Sequence, residues 1–413
     1  MGERLGGVVR AYGRVIRSRS YFPLWLGQLF SNFGDTLHYI AVVVLVFQLT
    51  GEGVAVAGLV AAEVIPVLVL GPVAGVIIDR FSPKAVLIGA DLARAGLVLT
   101  LLWPQGVWHA YFVAAGLAAG NTFFNPTLQA VIRVLTTDEQ RLAANSVSWS
   151  SGRLVQIVAS AIAGGLILLM GTGAAFAINA GSFVISALLI SRLCIPAHAG
   201  QLANASRQGV AGYLRDARAG LRFARSDRFV SRLLVVQAVA SLATGATGAM
   251  LVVLSERHLQ LPPASFAWLI GAIGLGALFG PLIPNILARD YRDARWMFLP
   301  YLVRGIGDML LATFTSLPLA LLVLFVYGLN TSTGMVVFNS NVQGVVPEAV
   351  RGRVFTLLDV TWSAMRLVSL VMGGVVVSAL GIQPLFWSGG ALLAAAGVLG
   401  LLLLGNQDLR QRR

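Results

Sequence analysis

The chain has 413 residues, of which 57% are hydrophobic and only 11% charged. Soluble domains carry about 25% charged residues, so this composition excludes a soluble enzyme or binding module and points to an all-α polytopic membrane protein. The net charge of +13 is not a nucleic-acid signature, because the arginines fall in short loops between apolar runs, where they set membrane orientation.

Residues 1–21 carry Arg4, Arg10, Arg14, Arg17 and Arg19 among Val, Leu and Tyr, without the unbroken apolar core of a cleaved signal. They read as a basic lead-in lying against anionic headgroups. Apolar runs of spanning length then recur about twelve times, near 22–49, 54–79, 84–103, 107–134, 141–170, 173–194, 229–255, 264–288, 296–316, 318–346, 351–380 and 383–404. Turn signals separate them at Gly51, Gly106, Gly171, Pro262-Pro263 and Gly381. The one cysteine, Cys194, excludes an internal disulfide framework.

Cations follow the even-numbered spans: Arg80 and Lys84, Arg133 and Arg141, Arg289, Arg292 and Arg295, then Arg351 and Arg353. The connections after odd-numbered spans are nearly free of them, Arg257 being the main exception. The positive-inside rule therefore places both termini in the cytoplasm, at the inner (plasma) membrane, with an even number of spans. Residues 196–228 hold six arginines from Arg207 to Arg228 among Tyr213, Leu214, Leu221 and Phe223, the pattern of a surface-lying amphipathic linker. The expected division is 1–21 lead-in, 22–195 first six-helix bundle, 196–228 linker, 229–405 second six-helix bundle and 406–413 tail.

The two halves repeat. SVSWSSGRLVQIV (146–158) matches DVTWSAMRLVSLV (359–371), aligning Arg153 with Arg366. FNPTLQAVI (124–132) matches FNSNVQGVV (338–346), aligning Asn125 with Asn339. Arg94 lines up with Arg304, and Gly71-Pro72 with Gly280-Pro281. Matches in the same order at an offset of roughly 210 residues indicate duplication, a parallel repeat about an axis along the membrane normal.

GPVAGVIIDRFSPK (71–84) resembles the Gly-x-x-x-Asp-Arg loop motif of the major facilitator superfamily, at the expected place between spans two and three. GQLFSNFGDTLHYIAV (27–42), Asp91-Leu92-Ala93-Arg94 and FFNPTLQAVI resemble its drug, macrolide-efflux and enterobactin-exporter branch. ASAIAGG (159–165) carries the glycine pair of the antiporter motif without its proline. The resemblance covers essentially the whole chain. It implies twelve transmembrane helices in two pseudo-symmetric six-helix bundles, and a cytoplasmic gate built from Gly71, Gly75, Asp79, Arg80 and Lys84. In that gate Asp79 would cap the N-terminal end of span eleven, and the glycines would allow close helix approach.

The chemistry sits in the intramembrane polar residues. Asp35 lies near the centre of span one, with Gln28, Ser31, Asn32, His38 and Tyr39 on roughly the same side. A carboxylate there is costly unless it serves a purpose. It can be a proton carrier, a substrate counter-ion or an acid paired with a buried arginine, and a partly desolvated carboxylate can exchange protons near neutral pH. Glu63 is the second such acid. Arg153 and Arg366, with Asp359 on the face of Arg366, are the buried cations that would hold resting acids or bind an anionic group. With Asn125 and Asn339 these residues form the expected cavity. Arg94 and Arg304 read instead as locally paired with Asp91 and Asp308 and snorkelling at the periphery.

Asp35 and His38 could supply two metal ligands, but no third is evident, so no metal and no cofactor is expected. No nucleophile has a base partner, so no enzyme activity is expected. The expected function is alternating-access export of an amphipathic or lipophilic small molecule by a monomer, with protons as coupling ion and membrane lipid as surroundings. A lipid or lysophospholipid flippase, a divalent-metal exporter and a non-transporting receptor or scaffold are the alternatives.

Overall fold

The computed structural model describes residues 18, 20–78, 80–193, 221–262, 265–280 and 295–405. The basic lead-in, Asp79, the linker up to residue 220 and the C-terminal tail lie outside the described residues. Every regular element among those described is helical. The helices are α1 (Phe22–Thr50), α2 (Gly53–Ile78), α3 (Pro83–Thr100), α4 (Val107–Leu135), α5 (Asp138–Ser191), α6 (Arg228–Ala249), α7 (Phe266–Phe279), α8 (Arg295–Thr313), α9 (Leu317–Val345), α10 (Glu348–Leu380) and α11 (Ile382–Leu404). A three-residue helix, Leu251–Val253, and a π-helical turn, Leu254–His258, continue α6.

The ends follow local rules. Ser82 accepts from the Ala85 amide and Pro83 opens α3, where its missing N–H costs nothing. Thr137 and Gln140 form a reciprocal capping box at the start of α5. Asp227 accepts from the amides of Phe229 and Val230 to start α6. Gly51, Gly106, Gly171 and Gly381 all take positive φ, which is why the turns fall at those glycines. At Gly171 (φ 75, ψ 175) the backbone leaves the helical conformation, so α5 consists of two helices joined at a kink, one for each of the apolar runs 141–170 and 173–194.

Among the described residues seven helices are long and apolar enough to cross a membrane, and Phe266–Phe279 is a shorter apolar helix. The more polar helices α3 and α8 carry charges inside their apolar runs, Asp91 and Arg94 in one, Arg304 and Asp308 in the other.

The chain divides into two compact units, Met1–Leu45 with Ala62–Gly212, and Val46–Ala61 with Tyr213–Arg413. In the first, α3 packs on α4 and α5 around Tyr21, Leu24, Leu87, Phe124, Val131 and Ile190. Tyr21 donates its hydroxyl to the Ala144 carbonyl at 2.8 Å, and Trp25 donates to Ser151 Oγ at 3.0 Å, tying the start of α1 to α5. In the second, α6 packs on α10 and α11, α7 on α9, and α8 on α9 and α11. Phe229, Phe298, Val354 and Leu358 centre that core. The tip of the first hairpin, residues 46–61, is part of this second unit. There Arg257 donates to the Gly51 carbonyl, and Gly53 faces Met250, Val253 and Val377.

Candidate functional site

In the first unit a charged cluster is buried between α1, α3, α4 and α5. Arg94 on α3 is 2% exposed and Asp91, one turn earlier, is fully buried. Their side chains form an ion pair. Arg94 also donates to Asn121 on α4 and to the Ala90 carbonyl. Its guanidinium lies 4.4 Å from the ring centres of both Phe124 and Phe183, where cation–π attraction offsets part of its desolvation. Arg94 does not snorkel to an interface; it is a central group of this bundle.

Asp35 belongs to the same cluster. Arg94 is its main charged partner, Asp91 acts on it as a like charge, and the Asn179 side chain stands against its carboxyl group. The placement follows from Gly34, where any larger side chain would overlap Ser182 and Asn179 of α5. That close approach sets the neighbouring Asp35 against the Asn179 face. The arrangement puts one carboxylate, Asp91, in contact with the guanidinium and a second, Asp35, within its electrostatic reach. With both ionised the cluster carries one net negative charge, and with one proton bound it is neutral, the state that low-dielectric surroundings favour.

The polar stripe of α1 divides. Ser31 and His38 are buried, and the His38 ring packs 5.4 Å from that of Phe176 on α5. Gln28 and Asn32 turn instead to a small cleft beside Tyr21, Trp25, Ser148 and Ser151. Tyr39 on α1 and Glu63 on α2 are half-buried, and each is engaged by a neighbour.

In the second unit a cavity of about 400 Å³ opens between α6, α8, α9 and α10, within the range usual for drug-sized ligands. Asn339 and Asp359 line it, together with Arg304. Arg366 on α10 is half-buried and acts electrostatically on Tyr327 rather than lining the cavity.

Residues 15–409 match the family described as transmembrane secretion effector. The chain belongs to this family of the major facilitator superfamily. It is 24% identical over 390 residues to macrolide efflux protein A of Streptococcus pyogenes, covering 92% of this chain and 94% of the relative. It is 25% identical over 395 residues to the multidrug efflux pump Tap of Mycolicibacterium fortuitum, covering 92% and 95%. Among solved structures, the nucleoside transporter NupG is similar with a TM-score of 0.75 at 14% identity, over 94% of this chain and 99% of that one, a likeness of fold alone. As a transmembrane secretion effector, the chain is a multi-pass membrane transporter with a small-molecule substrate.

Against that family background the expected site residues separate. His38 is brought into the first unit's buried interior with Asp35 half-buried on the same helix, and Asn339 and Asp359 to the second unit's cavity. Asn125 is exposed on α4, and the side chain of Arg153 lies outside the described residues. Of the gate residues, Asp79 and the surroundings of Gly75 lie outside the described residues, and Arg80 is exposed. Among the described residues nothing stands within 4 Å of a Cβ built at Gly71. Lys84 donates to the Leu193 carbonyl at 2.8 Å, clamping the start of α3 to the end of α5. Sequence reasoning passed over Asn121 and Asn179. The second had a signal, since Asn179, Ser182 and Ser186 fall on one face of an otherwise apolar segment.

Proposed function

We propose that the chain is a proton-driven exporter of amphipathic or lipophilic small molecules, of the macrolide or multidrug type named for its relatives. In this reading a monomer crosses the inner membrane twelve times, with both termini cytoplasmic, and its two six-helix halves alternate access to a central path. The observation that carries the reading is the cluster of Asp35, Asp91 and Arg94. Asp91 is paired with the Arg94 guanidinium and Asp35 lies within the reach of both charges, so the cluster has one place for a proton that substrate or conformation can contest. Protonation of Asp35 would free Arg94 wholly to Asp91, and loss of that proton would restore a three-body charge cluster.

The test uses purified protein in proteoliposomes with an imposed pH gradient and a macrolide as substrate. Substrate addition is expected to drive proton movement, and Asp35→Asn to cut gradient-driven transport at least about tenfold while equilibrium binding stays within about threefold, since the group acts on coupling more than on affinity. Wild-type flux and wild-type pH dependence in Asp35→Asn would remove the proposed coupling role.

A further inference from the structure

We infer that the cavity of the second unit binds amphiphiles carrying one anionic group, with Arg304 as the anion's anchor. The inference rests on the exporter reading above for its biological sense, and on the following geometry for its chemistry.

Arg94 and Arg304 are related by the repeat, yet their surroundings differ. Arg94 is closed in by Asp91, Asn121 and the Ala90 carbonyl. Arg304 has no ion pair or hydrogen bond among the described residues. Its guanidinium stacks 4.3 Å from the centre of the Tyr327 ring, and its Nε is buried without an acceptor. Asp308, one turn further along α8, acts on Arg304 electrostatically, but its carboxylate takes the Thr247 hydroxyl at 3.4 Å. Arg304 thus lines the cavity with a nearby carboxylate acting on its charge and no acceptor bound to its guanidinium among the described residues.

Three of the other polar side chains of the wall are already engaged. Tyr301 donates its hydroxyl to Gln237 at 3.0 Å, and Asn330 donates to the Pro300 carbonyl at 2.6 Å. Apart from Thr331, Asn339 and Asp359, the remaining wall is apolar or aromatic, including Met297, Phe338, Phe355 and Trp362. A ligand that fits has an apolar body for that wall and a carboxylate, sulfonate or phosphate monoester for the planar guanidinium. Asp359 is exposed at the lining, where it disfavours a second negative charge on the ligand.

The probes are 1-anilinonaphthalene-8-sulfonate and N-phenyl-1-naphthylamine, which share an apolar body and differ by the sulfonate. Both are titrated by fluorescence onto the full chain in nanodiscs of zwitterionic lipid, with empty nanodiscs subtracted. Arg304→Gln is expected to weaken the sulfonate probe about tenfold or more, the usual loss for a charge-assisted hydrogen bond, and to leave the neutral probe unchanged. Arg304→Lys is expected to recover part of the loss, and Asp359→Asn to tighten the sulfonate probe about threefold by removing a like charge. Competition by decanoate against lysophosphatidylglycerol then distinguishes a soluble amphiphile from a membrane lipid as the source of the anionic group.

Equal affinities of the sulfonate probe in wild type, Arg304→Gln and Asp359→Asn would overturn the inference. So would a parallel loss of both probes in a folded Arg304→Gln protein. Should Arg304→Gln fail to fold, Asp359→Asn decides alone, tighter anion binding supporting the anchor and unchanged binding refuting it. Equilibrium binding needs no proton gradient, so a chain that binds the anion but does not transport would refute the exporter reading only.

Discussion

Arg94 shows how a buried cation is made tolerable: one carboxylate in direct contact, one amide oxygen, one backbone carbonyl and two aromatic faces. Removing it leaves Asp91 buried and unpaired, which costs about 3–5 kcal/mol in comparable sites. Arg94→Gln is therefore expected to lower the apparent melting temperature by several degrees in detergent. The double variant Arg94→Gln/Asp91→Asn should recover most of that loss, because the stranded charge has gone. A double-mutant cycle by thermal unfolding measures this, and additive effects of the two substitutions would show that the pair is not coupled. The same measurement on Arg304→Gln should give a smaller loss, since no carboxylate depends on Arg304 in direct contact.

At the scale of helices, packing is set by where side chains are absent. Gly276 on α7 and Gly328 on α9 each face the other helix's backbone. A side chain at Gly276 would run into the Phe325 carbonyl, and one at Gly328 into the Ile273 carbonyl. Backbones this close gain dispersion and weak C–H···O contacts in place of the hydrophobic drive that lipid removes. Gly328→Leu is expected to cost about 1–3 kcal/mol by overpacking and to reduce the monodisperse fraction on size-exclusion chromatography. Gly89→Ala on α3, where nothing described stands within 4 Å, should be tolerated and add a few tenths of a kcal/mol of helix preference. Equal yields for the two variants would contradict the assigned interface.

On the scale of the whole molecule, the tip of the first hairpin is the segment to watch, because residues 46–61 belong to the second unit while the rest of α1 and α2 belongs to the first. A side chain at Gly53 would stand 2.9 Å from Val377 and 3.1 Å from Met250 Sδ. The proposed alternating cycle requires this packing to open. In a chain with Cys194→Ser, the pair Gly53→Cys/Val377→Cys is close enough for a disulfide. Oxidation is expected to stop transport and reductant to restore it, read as substrate flux in the same vesicles. Unimpaired flux through the oxidised form would mean that the tip stays docked throughout transport.

The sequence by itself determined the helical membrane class, the turn points and the presence of charge inside the bilayer. Composition and run length are properties of the chain alone, and a turn that needs positive φ announces itself by glycine, as at Gly51, Gly106, Gly171 and Gly381. It also made the repeat visible and drew attention to Asp35. Only the tertiary structure decided which charges meet. Spacing along a helix fixes which residues share a face, but not which helix that face meets. Asp35 and Arg94 lie on different helices, and the charge of one reaches the other where α1 approaches α5 closely at Gly34. For the same reason the repeat could align Arg94 with Arg304 but could not tell that one is enclosed by acceptors and the other opens on a cavity: their partners are supplied by neighbouring helices whose side chains the duplication did not preserve.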